Sequence, residues 1–119
     1  MHAAITVDEQ RRFLRFQFDE RATVNDWREA QEVFLRLSKE TGIRRALVDV
    51  RKQKAAGAEL ELFEFGRDIP SGMMFAVLSG PHRGDHAFVE TVALNRGKNV
   101  RLFFGPEKEA IEWLTTQAG

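Results

Sequence analysis

The chain has 119 residues, with 18 Lys plus Arg against 18 Asp plus Glu, 43% apolar content and no cysteine. A chain of this length makes one domain that buries roughly two thirds of its unfolded surface, and a balanced charge excludes the polycationic footprint of nucleic-acid binders. The missing cysteine excludes disulfide frameworks, thiol nucleophiles and thiolate metal sites.

Ala4 to Val7 is a short apolar run, and Arg12 to Phe18 alternates Leu14, Phe16 and Phe18 with Phe13, Arg15 and Gln17. The apolar run before the polar stretch Asp8 to Arg11 and the period two after it predict a hairpin of strands. Thr23 precedes Asp26 by three, a partial capping box, and Val24, Trp27, Ala30, Val33, Phe34 and Leu37 follow at helical spacing until Thr41 and Gly42. Ala46 to Val50 reads as a strand and Arg51 to Gly57 as a loop. Ala58 to about Arg67 reads as a helix with Leu60, Phe63 and Gly66 inward. Leu62 and Phe65 lie off that stripe and are expected to form an exposed apolar patch.

Pro70, Ser71 and Gly72 mark a turn. Met73 to Leu78 is an unbroken apolar run, as a strand buried on both faces requires. After a loop at Gly80, Pro81 and Gly84, a helix is predicted over His86 to Asn95, capped by Asp85, using Val89, Val92 and Ala93 and ended by Arg96, Gly97 and Lys98. Val100 to Phe104 is the last strand. Pro106 opens a helix whose Ala110, Ile111, Trp113 and Leu114 face inward. The order β-β-α-β-α-β-α-β-α predicts an α/β fold with a mostly parallel sheet after an N-terminal hairpin, helices covering the sheet, in one domain over 1–119. Without an apolar run of membrane-spanning or signal-peptide length, the chain is expected to be soluble and cytoplasmic.

Several segments carry a resemblance. The opening hairpin, the strand ending Leu47, Val48, Asp49, Val50, the helix end Phe63, Glu64, Phe65, Gly66, and the strand Val100 to Phe104 followed by Glu109 to Leu114 together resemble the SpoIIAA-like branch of the STAS domain family. The likeness spans nearly the whole chain. It implies a SpoIIAA-like fold and a regulatory, protein-binding role; the same topology is similar to that of lipid-transfer domains. In phosphorylation-controlled members a Ser or Thr follows the third strand. Here the matching stretch, Arg51 to Ala58, has no hydroxyl, and none occurs between Thr41 and Ser71, so no phosphoswitch residue is carried over.

Ligands of open α/β sheets bind outside the carboxyl ends of the strands. The leading expectation is a non-catalytic regulatory module that binds a protein partner or a second copy of itself through the loop and helix after the third strand, using Lys52, Lys54, Gly57, Glu61, Leu62 and Phe65. The alternative is a carrier or sensor of an apolar or amphipathic ligand such as a lipid, held between the sheet and the second and third helices. Its polar head would lie near Arg51, Lys52 or Arg83. Arg51, Arg83 and His86 are the candidate anion- or ligand-binding residues; Phe13, Phe63, Phe65, Phe75, Phe88 and Met73 or Met74 are candidate cavity walls.

Other constellations read as structural. Glu59, Glu61 and Glu64 suit the positive end of a helix. His82 and His86, four apart, would make a metal pair only on one helical turn, and Gly84 argues against that. Asp85 and His86 are adjacent without being a demonstrated acid-base pair, and Ser79 lacks a nucleophile-elbow pattern. No catalytic residue, cofactor, metal, nucleic-acid partner or stable membrane insertion is expected.

Overall fold

The five strands form one sheet in the order β1-β2-β3-β4-β5. In a computed structural model the chain is described over residues 1–54, 57–80 and 83–116; expectations placed on Pro81 and His82 lie outside the described residues. The elements are β1 (Ala3–Asp8), β2 (Phe13–Phe18), α1 (Val24–Thr41), β3 (Arg45–Asp49), α2 (Glu59–Asp68), β4 (Met74–Leu78), α3 (Arg83–Asn95), β5 (Asn99–Phe103) and α4 (Glu107–Thr116). This is the predicted α/β order. β1 runs antiparallel to β2, and the other neighbours are parallel.

Sequential parallel strands joined by crossovers of one hand must put every crossover on the same face. Accordingly α1, α2 and α3 share a core with Phe16, Phe18, Ala46 and Val100, while α4 packs on the opposite face against Leu47, Met74, Ala76, Leu78 and Phe103. The parallel register lines up Phe16, Val48, Val77 and Leu102 across the sheet toward the three crossover helices.

Local signals explain the element ends. The Thr23 backbone N–H donates to Asp26 Oδ2 at 2.8 Å, and the His2 N–H donates to Oδ1 at 3.0 Å. α1 stops at Gly42, whose φ of 76° is a left-handed conformation that favours glycine and whose N–H donates to Ser38 O at 2.8 Å.

Two expectations are corrected. α3 begins at Arg83, so Gly84 lies within the helix and Asp85 lies in its first turn and not at the position before it. In α2 the inward residues are Leu62, Gly66 and the half-buried Phe65, while Leu60 is 67% exposed. The predicted Leu62 and Phe65 surface patch is therefore not there, because α2 packs against α3 through Gly66. A β-carbon at Gly66 would lie 3.0 Å from both Val89 O and Val92 Cβ, so helix contact at that point fixes which way α2 faces.

Candidate functional site: an apolar cavity between sheet and helices

The two faces of the central strands are buried to different degrees. On the α4 side Leu47, Ala76 and Leu78 are 0% exposed. On the other side Val48, Phe75 and Val77 keep accessible surface although helices lie above them. Side chains explain the difference. α4 settles closely on β3, β4 and β5 through Ala110 and Leu114, whereas the α1 backbone is held off the sheet. Its Phe34 stands on Phe16 and Phe75, with ring centroids 6.2 and 5.1 Å apart, and its Trp27 stacks on Phe65 of α2 at 5.3 Å.

Between these aromatic pillars lies a cavity of about 90 Å³, floored by β2 to β5, walled by α1 and α3 and roofed by Phe65 and Ile69. Its lining is apolar apart from Trp27, Gln31, His86 and Glu90. His86 is 3% exposed and its Nδ1 shares a 2.7 Å hydrogen bond with the Oγ of Ser79, itself 6% exposed at the end of β4. The His86 ring lies 5.8 Å from that of Trp27. This buried serine-histidine pair ties the end of β4 to the start of α3. Gln31 Nε2 donates to Asp68 O at 2.9 Å, and Glu90 Oε2 accepts the Leu102 N–H at 2.7 Å.

Of the predicted cavity walls, Phe65 and Phe75 line the cavity. Phe13 and Met74 belong to the opposite core, Phe63 lies under Arg96 with the guanidinium 5.9 Å from its ring, and Met73 and Phe88 pack against the helix-side core without lining the hollow.

Arg51, Arg83 and His86 differ in their relation to the cavity. His86 lines the cavity and the two arginines do not. Arg51 is bidentate on Asp49, Nε to Oδ1 at 3.0 Å and Nη2 to Oδ2 at 2.8 Å, and Arg83 lies 4.4 Å over the Phe104 ring. The Asp49 carboxyl is 5% exposed, and burial alone would raise its pKa, yet hydrogen bonds from the Arg51 side chain and N–H hold it below the usual carboxylate range. At this end of the sheet the backbones nearly touch: a β-carbon at Gly80 would lie 2.8 Å from Arg51 Cα and O.

The residues expected to bind a protein partner differ in burial and in the contacts they make. Lys52 and Lys54 are exposed, and Lys54 pairs with Glu20 at 2.9 Å. Gly57 lies against Val24, whose Cγ2 would be 2.6 Å from a β-carbon there. Glu61 accepts the Ala58 N–H at 3.3 Å and so completes the start of α2, while Leu62 is 2% exposed. Glu64 reaches Arg28 of α1 at 3.5 Å.

Compared with protein-family models, curated proteins and solved structures, the chain finds no match. No helix among the described residues is long and apolar enough to cross a membrane. No group of three or more His, Asp or Glu among them is placed to hold a metal ion.

Proposed function

We propose that this domain binds a small apolar or amphipathic molecule between the sheet and helices α1, α2 and α3, acting as a carrier or sensor. The observation that supports this reading is the partial exposure of Val48, Phe75 and Val77 on the sheet face that α1, α2 and α3 cover. Apolar surface left open inside a domain forfeits stability in proportion to the hollow, and a function that needs the space accounts for its retention. The resemblance to SpoIIAA-like domains, whose topology is similar to that of lipid-transfer domains, points the same way. Docking of a regulatory protein through the β3–α2 loop finds less support, because Leu62 is buried and Phe65 lines the cavity.

The test is native mass spectrometry of protein purified from cells, compared with the mass after denaturation. The expected result is a stoichiometric small-molecule excess that denaturation releases. A native mass equal to that of the bare chain, together with capture of a stoichiometric protein partner by the α2 surface, would replace this reading with the regulatory one.

A further inference from the structure

The chemistry of the guest follows from what the cavity wall offers. The floor and walls are hydrocarbon, with Phe16, Ala30, Val48, Phe75, Val77 and Val89 among them. The polar side chains at its edge are turned to protein partners: Gln31 Nε2 to the Asp68 carbonyl, Glu90 Oε2 to the Leu102 amide, and His86 Nδ1 to Ser79. Trp27 Nε1 and His86 Nε2 also belong to lining residues, but both atoms are buried with almost no accessible surface, so a guest in the cavity does not reach them. A hydroxyl or amide carried into this space leaves its water behind and gains little in exchange.

Size sets a second limit. The hollow measures about 90 Å³. An engineered apolar cavity that takes benzene measures roughly 150 Å³, and one water occupies about 30 Å³ of liquid. The space thus holds roughly three or four heavy atoms.

Resting on the ligand-binding reading above, we infer that the cavity selects the bare hydrocarbon end of an aliphatic chain and leaves any polar end of the molecule outside, beside the half-buried Gln31 and Glu90. A matched pair of probes tests this: 1-octanol and 1,8-octanediol have the same chain, but whichever end of the diol enters carries a hydroxyl. Binding is followed by the methyl NMR shifts of Val48, Val77 and Val89 in the intact domain. The expected outcome is saturable binding of octanol at these methyls, with the diol at least about tenfold weaker.

Ala30→Leu fills the space from α1 and Val77→Phe fills it from the sheet. Each is expected to weaken octanol binding by about fivefold or more, and the two variants load different elements, so a folding defect in one leaves the other informative. Equal affinity for octanol and the diol overturns the hydrocarbon-end inference and leaves the ligand reading standing. Unchanged octanol affinity in a folded filled variant overturns the placement. Failure of both probes to shift any of these methyls removes the ligand reading and the inference together.

Discussion

Val77 and Ala76 are neighbours on β4 that face opposite ways, one into the cavity and one into the α4 core at 0% exposure. Adding carbon at the two positions must therefore have opposite consequences. Val77→Ile places one more methylene in space that is already open, and burying it contributes up to about 0.8 kcal/mol. The ceiling for complete filling follows from the cavity itself: about 90 Å³ at about 24 cal/mol per Å³ gives about 2 kcal/mol. Ala76→Val instead forces volume between Ala110 and Leu114 of α4 and the sheet, where overpacking costs about 1–3 kcal/mol. Urea unfolding of the wild type and both variants, fitted with a common m-value, measures the differences. The expected order is Val77→Ile at or above wild type and Ala76→Val clearly below it. If Val77→Ile destabilises as much as Ala76→Val, the helix side is as tightly filled as the α4 side and the argument for a cavity fails.

Arg51→Ala leaves the buried Asp49 carboxylate with only the residue 51 N–H of the bonds Arg51 now makes to it, and is expected to cost about 1–2 kcal/mol at pH 7. Because the folded pKa of Asp49 lies below its unfolded value of 3.8, this contribution is complete above about pH 4 and is lost as pH falls through the folded pKa; wild-type and Arg51→Ala unfolding curves should converge in acid. Asp26→Asn should cost about 1 kcal/mol through the start of α1. Burial opposes ionisation of Asp26 as well, but the His2 and Thr23 N–H groups leave its pKa lowered, so the difference again fades below about pH 4, as unfolding at pH 7 and pH 2.5 would reveal. Gly66→Ala puts a methyl at 3.0 Å from the Val89 carbonyl and should push α2 away from α3, lowering stability by about 1–2 kcal/mol and moving the Phe65 and Trp27 ring signals in NMR spectra.

The order of strands and helices along the chain was legible because the strands carry local patterns, such as the alternation in Phe13 to Phe18 and the unbroken apolar run Met73 to Leu78. The facing of α2 was not, because Leu60, Leu62, Phe63 and Phe65 place apolar side chains around much of its circumference, and its direction is decided by a contact with α3 that local periodicity does not encode. Asp85 misled for a related reason. It is a favourable N-cap residue, but Asp and Glu are equally favoured one turn later, and α3 starts two residues earlier. Phe65 and Phe75 were recognisable as bulky apolar residues, yet nothing in their spacing distinguishes a wall from a filled core. Trp27, Gln31, Val48, Val77 and Glu90 gave no signal as cavity residues at all.

The cavity arises instead from a mismatch between backbone topology and side-chain size. Same-handed crossovers commit three helices to one face of a narrow sheet, and that face carries Phe16, Phe18 and Phe75 on the strands and Trp27, Phe34 and Phe65 on the helices. Rings meeting rings hold α1 and α2 at a distance, and the small residues Ala30 and Ala46 then leave the space between the pillars open. On the other face the single helix α4 presents Ala110 and Leu114 to Leu47, Ala76 and Leu78, and nothing separates the layers. Shrinking a pillar should consequently close the hollow in part and not simply enlarge it, since α1 would then be free to approach the sheet. In Phe34→Ala the expected sign is a loss of stability smaller than the roughly 3–5 kcal/mol of an uncompensated truncation of a buried phenylalanine to alanine, accompanied by weaker octanol binding. A full-sized loss with stronger binding would mean that α1 is held in place by something other than these rings.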